Sequence, residues 1–226
     1  MRVKSRKINY DIVAHLYSFI TGFLYILGGG LTEKAFKRIF FAEFITAKGN
    51  EEVLDICCAN GKGTQFLASH FRQGRVTGVD LNPAMISFAI KNTKKTSNVN
   101  FRVGDCTKMD FPDNSFDFVN SFLALHEIPT QLVKVVLKEI KRVLKDTGRL
   151  LVFDFKVPEK STLDLNFVYY ALRLIEDESA ARFMMIDQIK YIENQGFKLI
   201  HSKEYHNGFT RAYLFEIDKS VSSGLV

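Results

Sequence analysis

The chain has 226 residues, 46% of them hydrophobic and 25% charged, with only four prolines. That length and apolar share support one sizeable buried core and exclude long disordered tracts. A formal charge of +6 and a pI near 9.1 favour anionic partners, yet the basic residues cluster only briefly, at Arg2–Lys7, Lys94–Lys95 and Lys138–Lys145. Solvated faces, not a nucleic-acid stripe, are therefore expected.

From Ile12 to Thr32 there is no Asp, Glu, Lys or Arg, directly behind the basic Arg2–Lys7 segment. His15, Ser18, Thr21 and the run Gly28-Gly29-Gly30 dilute the stretch below a spanning helix, so a helix resting on the protein or on a bilayer surface is expected. Ile8–Leu27 and Glu33–Ala47 predict two helices, the second with Phe36, Ile39, Phe40 and Phe44 near helical spacing.

Alternation of strands and helices begins after Gly49-Asn50. Val53–Ile56 predicts a buried strand, followed by a glycine turn and a helix at Thr64–Phe71; Arg75–Asp80 is a second strand and Pro83–Asn92 a second helix. Val99–Val103 and Phe116–Ser121 are the third and fourth strands. Thr130–Leu144 is a helix with Leu132, Val135, Val136, Ile140, Val143 and Leu144 as its inner stripe, ended by Gly148. Leu150–Phe155 is the fifth strand, followed by helical segments near Leu163–Glu176 and Ile186–Asn194 with Gly196 as C-cap. Phe197–Glu204 and Arg211–Ile217 pair as a terminal antiparallel hairpin around Asn207-Gly208, with a turn longer than two residues. The expected fold is α/β, Rossmann-like and doubly wound: a mostly parallel seven-stranded sheet with an antiparallel terminal hairpin, helices on both faces, and ligands at the carboxyl ends of the strands.

The stretch Val53-Leu54-Asp55-Ile56-Cys57-Cys58-Ala59-Asn60-Gly61-Lys62-Gly63-Thr64 runs from a strand through small residues into a helix. Small residues let the backbone approach a ligand, and free N–H groups at a helix start welcome a polar or anionic group. Asp80 ends the next strand, where a carboxylate can accept both hydrogen bonds from a ribose diol. Asp105, with Cys106, follows strand three, so three acids converge on one sheet edge. The G-x-G-x-x-G spacing of a nicotinamide-dinucleotide site is absent.

Cys57, Cys58 and Cys106 are odd in number and two are adjacent, which suits neither a disulfide framework nor a paired C-x-x-C zinc pattern and implies a reducing, cytoplasmic setting. Their softness would suit a thiophilic metal, but small residues packing in place of glycine and alanine is the reading adopted, and no metal is assigned.

The pattern from Val53 to Asp154 resembles the class I S-adenosylmethionine-dependent methyltransferases, whose first motif usually reads V-L-D-x-G-C-G-x-G. On that likeness Asp55 and the loop Cys57, Cys58, Ala59 and Gly61 would hold the methionine end of S-adenosyl-L-methionine, Asp80 the ribose, and Asp105 with Cys106 the adenine edge. Leu81 and Met85 would pack on the adenine ring, and Ser121 at the end of strand four would complete the cofactor side. Cys57 and Ala59 stand where the family usually has glycine; were either to need a positive φ, its side chain would cost about 1 kcal/mol or more. The resemblance implies one methyltransferase domain over 1–226, with 1–48 a helical lid, 49–156 the cofactor-binding core and 157–226 acceptor-side helices and the hairpin.

Methyl transfer from a sulfonium is an in-line displacement, for which alignment supplies much of the barrier reduction. His126, after strand four, stands where family members often line the active site and would deprotonate a phenol, enol or hydroxyl; equally, it would only pack at the next helix start. Glu127 reads as a solvent-facing first-turn residue. The absence of an N-P-P-Y/F sequence after strand four, of an RNA module and of a concentrated basic face speaks against a nucleic-acid acceptor.

Tyr10, Tyr17, Phe19, Phe23 and Tyr25 in the first segment, and Phe167, Tyr169, Tyr170, Phe183, Met184 and Met185 after strand five, together favour a greasy pocket and an apolar or aromatic small-molecule acceptor. Tyr10-Asp11, His15 and Ser121-Phe122 look similar to the ubiquinone and menaquinone biosynthesis methyltransferases, which act on prenylated rings at membranes. That likeness implies peripheral contact with an anionic bilayer through Ile12–Leu31 and the basic first residues. A polar acceptor for an O- or N-methyltransferase and a non-catalytic S-adenosylmethionine-binding protein are the alternatives; the oligomeric state is left open.

Overall fold

In the computed structural model, residues 40–46, 48–93, 97–157 and 178–220 are described. Seven strands form one sheet: β1 (Glu52–Ile56), β2 (Arg75–Asp80), β3 (Val99–Val103), β4 (Phe116–Phe122), β5 (Leu144–Phe155), β6 (Phe197–Tyr205) and β7 (Thr210–Ile217). Their spatial order is β3-β2-β1-β4-β5-β7-β6. β1 to β5 are mutually parallel, and β7 inserts antiparallel between β5 and β6. The strand order reverses between β1 and β4, and in an open α/β sheet such a reversal opens a crevice beyond the carboxyl ends of the two strands.

The strands are buried on both faces because their apolar residues alternate between two cores. Leu54 and Ile56 of β1, Val119 of β4, and Leu150 and Val152 of β5 pack on one side; Val53, Phe118, Leu151 and Phe153 pack on the other. The first core is closed by α3 (Thr130–Val143), the second by α1 (Lys62–His70) together with Phe40, Phe41 and Phe44 from the helical stretch at 40–44. α2 (Pro83–Asn92) starts where Asn82 accepts a hydrogen bond from the Ala84 N–H at 2.9 Å, with Pro83 in the first turn. α4 (Glu178–Met185) and α5 (Gln188–Glu193) precede the hairpin.

The sheet, its hairpin and the faces its helices cover match the expected architecture, with three local corrections. The inner stripe of α3 is Val133, Val136, Leu137, Ile140 and Val143, whereas Leu132 is exposed and Val135 only half-buried. The apolar pairs Leu132-Val133 and Val135-Val136 fit either of two adjacent faces, and packing chose the one that continues through Leu137. Second, α3 ends at Val143, and Leu144 already begins β5. Gly148 lies inside β5 rather than ending a helix; a Cβ there would meet the Lys145 carbonyl oxygen and Leu144 Cδ2 at 2.8 Å. Third, α4 was not expected, and the helix expected at Ile186–Asn194 is the shorter α5. Gly196 does adopt the left-handed conformation beyond α5, at φ +85. The expected helices at Ile8–Leu27 and Leu163–Glu176 lie outside the described residues.

Arg142, in the last turn of α3, ties the loop before β4 to the helix. Its guanidinium donates to the carbonyls of Met109 and Phe111 at 2.9 and 2.7 Å, and to Asp113 and Glu139. The Glu139 carboxyl is held below its usual range by that guanidinium. No helix among the described residues is long and apolar enough to cross a membrane.

Candidate functional site

The loop from β1 to α1 takes a backbone that its residue types disfavour. Cys57, Ala59 and Gly61 all have positive φ, at 51, 46 and 74 degrees. Gly61 suffers nothing from this, and a Cβ there would lie 2.7 Å from the Phe101 ring. Cys57 and Ala59 each carry a side chain in the left-handed region, at a cost of roughly 1–2 kcal/mol per residue. Hydrogen bonds impose the shape: Cys58 N–H donates to the Val79 carbonyl at 3.0 Å, Gly61 N–H to the Cys58 carbonyl at 2.9 Å, and Ala59 N–H to Asp80 Oδ2 at 2.9 Å.

Asp55 lies beneath this loop, buried at 3% exposure. Its Oδ2 accepts from Thr64 Oγ1 in α1 and its Oδ1 from Asn120 Nδ2 in β4, both at 2.7 Å. The sequence reading set Asp55 with the loop at the methionine end; the geometry gives it the role of joining β1, α1 and β4 below the crevice.

Asp80 is half-buried at the end of β2 and accepts from Asn82 N–H at Oδ1 and Ala59 N–H at Oδ2. Leu81 beside it is 69% exposed and Met85 half-buried, and Val103 at the end of β3 is 51% exposed. Asp105 is exposed and bound by the backbone and hydroxyl of Thr107. Cys57 and Cys106 are both half-buried on the same core. The neighbouring Cys106 sulfur first, then burial, raises the Cys57 thiol, whereas the Cys57 sulfur lowers that of Cys106. Cys58 faces inward; burial first, then Asp55, pushes its thiol up.

At the end of β4, Ser121 is fully buried and its Oγ has no hydrogen-bond partner among the described residues. His126 follows on the 3-10 turn Leu125–Glu127, also fully buried, while Glu127 faces solvent. Its Nδ1 lies 2.6 Å from Asp154 Oδ1, and its backbone N–H donates to Asp154 Oδ2 at 3.3 Å. Phe155 N–H also donates to Asp154 Oδ1, and the Phe155 ring meets the imidazole edge-on with centroids 4.8 Å apart. Asp154 was not singled out in the sequence; an acid inside the apolar run Leu150–Phe155 signals a buried carboxylate but does not say which residue it meets.

Apolar side chains pack together around the ends of β4 and β5. Phe122 stacks on Phe153 at 4.7 Å, and Phe40 meets both rings edge-on. Leu123, half-buried at φ 52, contacts this group and the cluster of Phe155, Met184 and Phe209. Of the aromatic and methionine residues expected to line an acceptor pocket, Phe183 and Met184 are buried and Met185 is exposed. Tyr10, Tyr17, Phe19, Phe23, Tyr25, Phe167, Tyr169 and Tyr170 lie outside the described residues.

Residues 53–148 match a family model described as a methyltransferase domain. A demethylmenaquinone methyltransferase of Bacillus licheniformis is 34% identical over 119 residues, covering 52% of this chain and 50% of that protein. One of Lactobacillus johnsonii is 28% identical over 173 residues, covering 75% and 69%. The chain thus spans about half the length of the first of these curated relatives and about two thirds of the second. Among solved structures, a SAM-dependent methyltransferase from Aquifex aeolicus superposes with a TM-score of 0.61 at 20% identity, over 88% of this chain and 97% of that one, a likeness of fold.

Relieving the strained backbone should be measurable without any ligand. Ala59→Gly is expected to raise stability by about 0.5–1 kcal/mol, the αL relief exceeding the added chain entropy, read as a higher urea midpoint at unchanged slope. An unchanged or lower midpoint would mean the loop is relaxed.

Proposed function

We propose that this chain, whose residues 53–148 match the methyltransferase-domain model, binds S-adenosyl-L-methionine at the ends of β1 to β4 and methylates an apolar, aromatic acceptor of the quinone type. The observation that carries the reading is the convergence on one edge of a left-handed small-residue loop, the Asp80 carboxylate and the exposed apolar Leu81 and Val103. When bound, this cofactor supplies an electrophilic methyl group on a sulfonium. The residues fit it: polar groups for a ribose and an amino acid, apolar surface for a flat ring, and no cluster of donors for a pyrophosphate. Cys57, Cys58, Ala59 and Gly61 would contribute backbone beside the methionine portion, above the support from Asp55. Asp80 would receive the ribose hydroxyls, giving up the Ala59 N–H or using its remaining lone pairs. Leu81 and Met85 would cover the adenine, with Asp105 and Cys106 at its edge and Ser121 beneath.

On the acceptor side, Asp154 takes the Nδ1 proton of His126 in a hydrogen bond. This leaves Nε2 as the nitrogen able to receive a proton from an acceptor hydroxyl, and it stabilises the imidazolium that results. The half-buried Phe122 and Leu123, backed by the buried Phe40 and Phe153, would seat a ring and exclude water. Residues 1–48 and 157–226 would complete this side, and the basic start of the chain with the uncharged Ile12–Leu31 would bring it to an anionic bilayer where lipid-like acceptors reside. The names of the two demethylmenaquinone methyltransferases support this choice of acceptor. The strained Cys57 and Ala59 favour, as second reading, a protein that binds the cofactor without turnover.

Calorimetric titration should show saturable binding of S-adenosylmethionine and none of NADH, with Asp80→Ala weakening the affinity about tenfold or more. No heat with S-adenosylmethionine would refute the reading. With a reduced short-chain demethylmenaquinone as acceptor, Asp154→Asn should lower kcat about a hundredfold with KM little changed, and Asp154→Glu should recover part of the loss. Equal loss in both variants, with KM rising instead, would make the His126–Asp154 pair structural only.

A further inference from the structure

One row across the sheet carries aromatic rings at one end and a cation at the other. Phe122 of β4 pairs with Phe153 of β5, Phe153 with Ala212 of β7, and Ala212 with Lys203 of β6, so these four side chains share one face. The helical stretch 40–44 lies over this row. Phe40 is fully buried and meets the Phe153 ring at 5.0 Å and the Phe122 ring at 5.7 Å, while the small, buried Ala212 packs in the same cluster and leaves space for the stretch to cross.

Three residues on from Phe40, and so on the same side of the helical turn, Glu43 reaches the other end of the row. Lys203 Nζ donates to Glu43 Oε1 and Oε2 at 2.7 and 2.8 Å, across 160 positions of sequence, and the Tyr205 hydroxyl donates to Oε2 at 3.0 Å. The Phe44 ring lies 5.0 Å from the His201 imidazole, and the Phe40 ring 5.9 Å from that of Tyr205. β6 thus grips the stretch through Lys203, Tyr205 and His201.

So short a helical stretch has too few internal bonds to hold its own position. Ring packing draws Phe40 to the sheet but is non-directional, whereas charged hydrogen bonds to both carboxylate oxygens fix where along the row the stretch sits. The ionisation this clamp needs is also secured. The Lys203 ammonium, helped by the Tyr205 hydroxyl, outweighs burial and holds the Glu43 carboxyl below its usual range; burial first, then Glu43, raises the Tyr205 hydroxyl, which keeps its proton to donate.

We propose that Glu43 is a positioning residue for the acceptor: its bonds to Lys203 and Tyr205 fasten residues 40–44 across the sheet and hold the Phe40 ring as the fixed back of the seat at Phe122 and Leu123. Glu43 acts through Phe40, and this role rests on the aromatic-acceptor reading given above. Loosening the clamp lets Phe40 withdraw from behind Phe122, so a ring is held more weakly, while the cofactor end at β1 to β3, on the other side of β4, stays as it was.

The test compares the full chain with Glu43→Gln, with Lys203→Met and with the charge-exchanged double variant Glu43→Lys/Lys203→Glu. Both side chains are partly exposed, so the variants should fold. The readouts are hydrogen exchange of the Ile45 amide, which donates to the Phe41 carbonyl, affinity for 1-naphthol as a tailless ring, KM and kcat with a reduced short-chain demethylmenaquinone, and affinity for S-adenosylmethionine. Each single variant should speed Ile45 exchange, weaken 1-naphthol binding and raise the acceptor KM about fivefold, the scale of one exposed charge pair, with kcat and cofactor affinity changed by less than about twofold. The double variant, in which the Tyr205 hydroxyl can accept where it donated, should recover most of the loss. Faster exchange with unchanged 1-naphthol affinity would make the clamp structural only and overturn the proposal. So would equal weakening for cofactor and ring, a double variant no better than the singles, or a wild-type chain that does not bind 1-naphthol. A wild-type chain that binds 1-naphthol without methylating the quinol would strike the proposed reaction instead, and the 1-naphthol affinities of the variants would then decide the role of Glu43.

Discussion

A carboxylate is buried at the point where the sheet reverses its winding, and the rest of the site is arranged around it. Asp55 sits at the end of β1 with one oxygen on Asn120 of β4 and the other on Thr64 of α1. Burying a carboxylate is costly unless donors surround it, and here two short bonds offset that cost by locking three elements to one another. Because the winding reverses between the paired strands β1 and β4, the locked junction lies below the crevice that such a reversal opens. The left-handed loop above it can persist against its own backbone preferences only because the floor and the end of β2 hold it from two sides.

A second buried acid acts at the neighbouring strand end. Asp154 orients His126 by one ring contact and one backbone contact, with both side chains wholly removed from solvent. The two acids divide the crevice: one supports a loop lined by small residues, and the other fixes an imidazole beside an aromatic wall. This division suits a reaction in which one partner is held by its polar ends and the other by its ring.

Much of this was legible in the sequence because the strands are buried on both faces. β2, α2 and β3 fall on their expected boundaries, and the acids near the ends of β1 and β2 and after β3 lie on one edge of the sheet, as their positions in the sequence suggest. The face of α3 was harder to read, since adjacent apolar residues at Leu132-Val133 and Val135-Val136 leave the period ambiguous until packing selects one. Gly148 misled because a glycine that permits close approach looks the same in sequence as one that stops a helix. The partnership of His126 with Asp154 was invisible for a different reason: the residues are 28 positions apart, and only the parallel pairing of β4 with β5 brings them together. The positive φ of Cys57 and Ala59 was foreshadowed only by the family's preference for glycine at those positions.

The account stands most directly on the claim that one ligand engages the ends of β1, β2 and β3 together. Amide spectra of the isotope-labelled chain, titrated with S-adenosylhomocysteine, would report each of these strand ends separately. The account predicts that the largest shifts fall on Ala59, Gly61, Leu81 and Asp105 and saturate with a single affinity. Shifts that left Ala59 and Leu81 unmoved, or that gathered at the far edge of the sheet on β6, would contradict it.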